Sequence, residues 1–383
     1  MFLIVTRSFP PDIGGMQVLM GGLCESLLNH GPVQVFTYEH ESSSIYDTKS
    51  GANIERVKGI KLFRKFRKAN LVNNFINSNK NIRALIVDHW KSLELIKTEN
   101  LKKIKTFCLL HSKEINHDLG TSLNNRTIKS TNNADYIISN SNFTKKLAIK
   151  VGINSSKIHV IFPGIPKPKK IENIHKLKAE KYFDNSFPKI ITVSRMDKRK
   201  GHDKILMLIK NLKPKYPKIK YISIGEGDEK NNLLKLSKEL NLDKEVIFLK
   251  NIDFDLKVAL IAESNLFLMP SRIEKKSVEG FGISFVEAAS YGVGSIGGKD
   301  GGAPDAILDK KTGLICDGND LNSIYDSVIN FFNNENYIKY GKNAREFSEK
   351  FYWDKVIKSY LKLINQFNLF YYFLVNFFCR KIF

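Results

Sequence analysis

The chain has 383 residues, 42% of them hydrophobic and 26% charged, a length that exceeds one ordinary domain and suits two of roughly 150–200 residues each. That composition excludes a disordered or fibrous chain. The formal net charge of +22 divides evenly, +11 in residues 1–166 and +11 in the remainder, so it reads as a solvated surface rather than the concentrated patch of a nucleic-acid-binding domain.

The first apolar run, 2–6, reads as a buried strand; Arg7 ends it too early for a signal core, and no secretory leader is expected. Phe9-Pro10-Pro11-Asp12-Ile13-Gly14-Gly15 follows, before a helical pattern over 16–28. Paired glycines at a strand–helix junction either bring backbone amides toward an anion or sugar, or simply make a tight turn. Neither a G-x-G-x-x-G fingerprint nor a G-x-x-x-x-G-K-[ST] loop is present there. Further strands are predicted at 33–37 and 84–87. Between them, segment 58–68 (KGIKLFRKFRK) holds six basic residues and no acid. On a helix, Leu62, Phe63 and Phe66 share a face, a pattern suited to an anionic membrane surface or to packing against the first domain.

Strand 107–110 ends at His111, placed to hydrogen-bond a sugar hydroxyl or to serve as an ordinary polar strand-end residue. Strands at 136–139 and 158–161 flank a helix over 143–150. Residues 163–170 (PGIPKPKK) read as a linker and as the boundary between two domains, 1–166 and 167–350.

In the second half, strands are predicted at 190–193, 221–224, 246–249 and 266–269, with helices over 203–211 and 229–240. Short β-rich runs separated by helices predict an α/β architecture of doubly wound parallel sheets. The loop Ser194-Arg195-Met196-Asp197-Lys198-Arg199-Lys200-Gly201-His202 sits at a strand's carboxyl end, where such sheets bind ligands. Arg195 and Lys200 could clamp a diphosphate there, or belong to a basic surface loop. Gly225-Glu226-Gly227 reads mainly as a structural turn.

Residues 271–287 (SRIEKKSVEGFGISFVE) form the most informative stretch. A polar loop ends at Glu279-Gly280-Phe281-Gly282, and a helix begins at Ile283. Its N-terminus offers unpaired N–H groups suited to a phosphate. Glu287, one turn inside, could reach ribose hydroxyls, and Glu279 could accept from sugar hydroxyls. A capped helix with a solvated glutamate is the plainer reading. Gly301-Gly302-Ala303-Pro304-Asp305 is either a second amide-bearing loop or a plain turn. No apolar run of about 20 residues occurs, so no spanning helix is expected. The tail 367–383 is rich in aromatics and suits either a bilayer interface or packing on the first domain. Cys24, Cys108, Cys316 and Cys379 lie far apart, which argues against a zinc site or disulfide framework and fits a reducing compartment.

In order along the chain, FPPDIGG, HSKE, VIFPGI, SRMDKRKGHD, IGEGD, MPSR, VEGFGISFVEAASYG, GGAPDAI and FYW resemble glycosyltransferase family 4, retaining enzymes of the GT-B fold. The set spans about residues 4–360 and looks most like the phosphatidylinositol mannosyltransferase branch. The resemblance implies two Rossmann-like domains facing across a cleft, with a C-terminal segment from about 351 rejoining the first, acceptor-side domain. It assigns Glu279 to the donor sugar and Glu287 to the ribose. The backbone at Phe281, Gly282 and Ile283 falls to sugar and phosphate, Arg195 and Lys200 to the diphosphate, Gly15 to the N-terminal glycine loop, and His111 to the donor sugar. Phe162, Gly294 and Asp305 depart from the commoner family residues.

The implied reaction moves a sugar from GDP-mannose or a UDP-sugar to a hydroxyl of a lipid-linked or polysaccharide acceptor, with retention and without a metal or other cofactor. The implied location is cytoplasmic, peripheral at the inner face of the plasma membrane. A non-catalytic nucleotide-sugar-binding scaffold is a second reading. A nucleotide-dependent oxidoreductase is a third, which the missing dinucleotide fingerprint disfavours.

Overall fold

The computed structural model describes residues 1–379, with side chains through 366. The chain forms two compact units: Met1–Pro166 together with a return segment that starts at Phe351, and Lys167–Lys350.

Unit 1 contains seven strands: β1 (Phe2–Val5), β2 (Val33–Tyr38), β3 (Asn53–Val57), β4 (Ala84–Val87), β5 (Thr106–Leu110), β6 (Tyr136–Ser139) and β7 (Ile158–Val160). They form one parallel sheet in the order β3-β2-β1-β4-β5-β6-β7. Unit 2 contains six: β8 (Lys189–Val193), β9 (Lys220–Ile224), β10 (Val246–Leu249), β11 (Leu266–Met269), β12 (Ser295–Gly298) and β13 (Gly313–Cys316). Their order is β10-β9-β8-β11-β12-β13, again all parallel. Each order reverses direction once, at β1/β4 and at β8/β11. Every residue of β1, β4, β5 and β11 is buried. Strands covered by helices on both faces read as continuous apolar runs, which is why these four were visible in the sequence.

Leu3, Val5, Leu85, Val87, Cys108 and Leu110 pack with Trp90 and Val72 to make the main core of unit 1. Ile190, Tyr221, Leu266, Leu268 and Ile296 pack with Ile205, Ile209, Ile324 and Phe331 in unit 2.

Three expectations change. The stretch read as a linker from 163 is pinned at its start: Pro163, Gly164 and Ile165 are buried. The Ile165 amide donates to the Phe351 carbonyl at 2.8 Å, and the Trp353 amide donates to Ile165 at 3.1 Å. The chain leaves unit 1 only after this parallel bridge closes. Second, segment 58–68 starts a helix, Lys61–Ser78, but its aromatics do not pack inward. Leu62, Phe63 and Phe66 are exposed, whereas Lys68 is 3% exposed. Third, β3, β12 and β13 add strands that the apolar runs did not mark. The aromatic run 367–383 lies outside the residues whose side chains are described. Among the described residues no helix is long and apolar enough to cross a membrane.

Candidate functional site

The unit 2 sheet reverses order between β8 and β11, and parallel α/β sheets hold ligands at the strand ends beside such a reversal. Two loops leave there. One runs from β8 through a 3₁₀ turn, Lys198–Lys200, into the helix His202–Leu212. The other runs from β11 to the helix Ile283–Ser290. The Arg272 amide donates to the Arg199 carbonyl at 2.9 Å, and the Arg272 guanidinium grips Asp203 through two 2.9 Å bonds. These contacts tie the second loop to the first.

At their junction Glu279 is 9% exposed and Lys200 7%. One carboxylate oxygen, Oε2, accepts from both Lys200 Nζ and Arg199 Nη1, the latter at 2.8 Å. Burial alone would raise the Glu279 pKa; the charges and hydrogen bonds of Lys200 and Arg199 outweigh it and hold the carboxyl at about 2. Two cations thus converge on one buried carboxylate, next to an open helix N-terminus.

Gly282 makes that N-terminus possible. Its φ of 89° lies in the left-handed region, and a Cβ there would stand 2.5 Å from the Phe285 ring. The helix Ile283–Ser290 therefore starts with no side-chain cap, leaving amide donors unclaimed by a capping group. Phe281 is buried and Phe285 meets Phe267 edge-on at 5.5 Å, so the loop rests on the core. Gly302 holds the loop from the other side. Its amide donates to the Glu279 carbonyl at 2.8 Å. The glycine pair 301–302 thus orients Glu279, and the Gly302 amide expected for a sugar or phosphate is already engaged.

The expected residues do not all converge. Glu279, Lys200, Gly282 and Ile283 do. Glu287 lies further along the same helix, 3.9 Å from Lys257 Nζ. Arg195 shares the loop with Lys200, but its guanidinium is two-thirds exposed and binds Asp197 at 2.5 Å. Arg199 occupies the place beside Lys200, a residue the sequence reading quoted without assigning. A 3₁₀ turn brings all three basic residues of 198–200 into one revolution, and only the fold shows which of them face Glu279. Beneath the loop, His202 is buried. Its Nδ1 lies 3.0 Å from Tyr221 Oη and its Nε2 lies 3.0 Å from Ser194 Oγ. Burial, with the nearby Lys200, outweighs what raises its pKa and lowers it to about 4. The 225–227 turn braces the same loop, through Met196 N–H to the Glu226 carbonyl at 2.9 Å.

His111 and Gly15 belong to unit 1. His111 directly follows β5, and its Nε2 lies 3.0 Å from the Asp88 carbonyl, which makes that nitrogen the donor. Its amide donates to Glu114 at 2.5 Å. Gly15 begins the helix Gly15–Leu28 at the surface, with open space where a Cβ would stand.

Two Rossmann-like units, each a parallel sheet with helices, are the architecture of a GT-B protein, and in unit 2 two basic side chains meet at the strand-end reversal. Comparison with known proteins then gives the family. Residues 173–347 match the model described as "Glycosyl transferases group 1", and residues 13–167 match "Glycosyltransferase Family 4". The chain belongs to family 4 of the glycosyltransferases.

A GDP-mannose-dependent alpha-(1-6)-phosphatidylinositol monomannoside mannosyltransferase of Mycolicibacterium smegmatis is 24% identical over 341 residues, 85% of this chain and 87% of that one. A 41.2 kDa protein of the Klebsiella pneumoniae cps region is 27% identical over 91% of this chain and 96% of its own. Among solved structures, Anabaena HepE in complex with UDP superposes with a TM-score of 0.79 at 17% identity, covering 95% of this chain and 99% of that one.

Proposed function

We propose that this glycosyltransferase is a retaining, mannosyltransferase-like enzyme. It takes a sugar from GDP-mannose or a UDP-sugar and delivers it to a hydroxyl of a lipid-linked or polysaccharide acceptor. The observation that carries the donor assignment is the Glu279 carboxylate held by Lys200 and Arg199 beside the helix start at Ile283. A diphosphate offers what that arrangement lacks: more negative charge for two buried cations and acceptors for the helix amides.

In this reading the phosphates take up Lys200, Arg199 and Arg195, and Glu279 is released to the hydroxyls of the transferred sugar. Glu287 meets the ribose, and the backbone of 281–283 lines sugar and phosphate. His111 and Gly15, in unit 1, serve the donor sugar and the glycine loop. As the anomeric C–O bond to the diphosphate breaks, negative charge grows on the leaving oxygen. Preorganised cations stabilise that charge, the largest catalytic contribution expected here. The acceptor hydroxyl attacks the anomeric carbon from the same face, and its proton passes to the departing phosphate oxygen. The cations supply the neutralisation otherwise asked of a metal, so no metal is invoked.

The mannosyl and GDP assignment is supported by the Mycolicibacterium relative, and the UDP alternative by the UDP-bound Anabaena protein. The proposed location is cytoplasmic, peripheral at the inner face of the plasma membrane, with the 58–68 segment meeting anionic lipid. The test is a thermal-shift panel of GDP, UDP and ADP, then their sugar conjugates, followed by product analysis for anomeric configuration. Glu279→Ala and Lys200→Ala should abolish transfer; full activity in either would sink the site assignment.

A further inference from the structure

Ser112, two residues past β5 and next to His111, has φ 91° and ψ −66° and is buried. The other non-glycine residues with positive φ, among those described, lie between 46° and 60°, near the left-handed helical region that polar residues reach at modest cost. Ser112 instead has the angles of the rarer hand of γ-turn, a strained conformation for any residue with a side chain. A glycine would adopt this turn with no Cβ in the way. What serine adds is a hydroxyl.

That hydroxyl is committed. Ser112 Oγ lies 2.6 Å from Thr144 Oγ1. Thr144 Oγ1 donates to Asn140 Oδ1 at 2.7 Å and accepts from Ser141 Oγ at 2.9 Å. A hydroxyl has one hydrogen to give, and Thr144 spends its own on Asn140, so Ser112 is the donor in the pair. Ser112, Ser141 and Thr144 are all buried. Ser141 Oγ in turn accepts from the Thr144 amide at 3.0 Å and caps the helix Asn142–Lys150. The Asn140 amide donates to the Leu110 carbonyl at 3.2 Å. The strained turn is thus fastened to a helix start just past β6, the strand beside β5.

On the other side of the turn, His111 is held at two points. Its amide donates to Glu114 Oε1 at 2.5 Å, and the Glu114 carbonyl accepts from Trp90 Nε1 at 2.9 Å. Its Nε2 donates to the Asp88 carbonyl at 3.0 Å. With the hydrogen on Nε2, a neutral ring leaves Nδ1 an acceptor. Nδ1 has no hydrogen bond among the described residues. Relaxing the turn at Ser112 would shift the His111 backbone, and the ring with it, away from the Asp88 carbonyl. A glycine turn without the Thr144 contact has nothing to prevent that relaxation.

We propose that Ser112, through its hydrogen bond to Thr144, is a positioning residue for His111: the strained turn keeps Nε2 on the Asp88 carbonyl and so offers Nδ1 as an acceptor. What Nδ1 meets rests on the reading of His111 as a donor-sugar contact. On that reading the partner is a sugar hydroxyl that donates its hydrogen to the ring.

The full-length chain is prepared with nitrogen-15-labelled histidine, and proton–nitrogen spectra report which ring nitrogen of His111 carries hydrogen. Its signals are assigned by their loss in His111→Gln. Wild type should show hydrogen on Nε2. Ser112→Gly frees the turn and deletes the hydroxyl; Thr144→Val keeps the shape and deletes the partner. Both should move the His111 signals toward those of a free, tautomer-averaged imidazole, and Thr144→Ser should restore the wild-type signals. In calorimetric titrations, GDP-mannose is compared with GDP and UDP-glucose with UDP. The affinity gained from the sugar should fall about three- to tenfold in Ser112→Gly, Thr144→Val and His111→Gln, the worth of one hydrogen bond. Ser112→Gly and Thr144→Val should bind the bare nucleotides as wild type does. Wild-type His111 signals in both Ser112→Gly and Thr144→Val overturn the proposal, as does a Thr144→Ser variant as altered as Thr144→Val. If the signals move as expected but the sugar's contribution is unchanged in all three variants, the positioning stands and the reading of His111 as a sugar contact falls.

Discussion

Glu279 is the counter-ion of Lys200 and Arg199. Its carboxylate holds Lys200 and Arg199 at a buried strand end where two unpaired cations would be costly. A diphosphate competing for the same cations must displace it. Glu279→Gln should therefore lower stability by about 3–5 kcal/mol, the usual cost of removing one partner of a buried pair. It should also bind GDP or UDP more tightly than wild type while losing transfer. Calorimetric titration checks this, and weaker nucleotide binding in the variant would show instead that Glu279 keeps the cations in register for the phosphates. The Glu279–Glu287 stretch was legible in sequence because glycine, glutamate and helix start lie within nine residues. Arg199 was not, since facing Glu279 depends on a 3₁₀ turn and on a loop 80 residues away.

His202 supplies a second prediction at this scale. It is held neutral, with its pKa lowered from 6.5 to about 4. The unfolded chain therefore takes up a proton between those values that the folded chain refuses. Stability is fully present above pH 6.5 and is lost as pH falls toward 4, by on the order of 3 kcal/mol from this group. His202→Asn should be less stable at neutral pH but show a flatter decline over that window in denaturant titrations. An unchanged slope would contradict the assignment.

Among the elements, two of the strands that escaped the sequence reading, β3 and β12, did so for different physical causes. β3 (NIERV) is an edge strand, exposed at its first residue, so it lacks the apolar run of its neighbours. β12 (SIGG) is fully buried but rich in glycine because other backbone crowds it: a Cβ on Gly298 would stand 1.7 Å from the Ser271 carbonyl oxygen. Side-chain hydrophobicity cannot register a strand selected for lack of side chains. The same crowding makes the following turn a support for the site. A Cβ on Gly302 would meet the Gly280 carbonyl oxygen at 2.0 Å. Gly302→Ala must push the 279–282 loop away, so transfer should fall by at least tenfold while far-ultraviolet circular dichroism stays near wild type. Retained activity would mean that the loop accommodates the methyl without moving Glu279.

The helix Lys61–Ser78 presents the opposite problem, since its sequence was legible as amphipathic but not its orientation. Burial of Lys68 against Thr6 and Tyr38 turns Leu62, Phe63 and Phe66 outward. Exposed aromatics among unpaired lysines suit the headgroup region of an anionic bilayer. Phe63→Ser/Phe66→Ser should reduce co-sedimentation with phosphatidylglycerol vesicles severalfold and leave nucleotide binding intact. Equal sedimentation of variant and wild type would remove this helix from the membrane proposal.

For the whole molecule, the decisive property is that each unit closes its own core while the chain enters unit 1 twice. Trp353 is 9% exposed and seated over Gly22 and Gly164, and Lys105 Nζ donates to the Ile364 carbonyl at 2.6 Å. The return segment is thus structural to unit 1, although 184 residues of unit 2 intervene in the chain. Separate cores and separate ligands predict separable responses to heat. In scanning calorimetry, GDP or UDP at a hundredfold excess over Kd should stabilise the unit 2 transition by about 2.7 kcal/mol and leave unit 1 in place. Trp353→Ala should do the reverse, lowering only the unit 1 transition, by about 3–5 kcal/mol from the cavity left behind. If nucleotide and Trp353→Ala move one and the same transition, the units unfold cooperatively. Ligand effects would then have to be assigned by residue-level probes and not by melting.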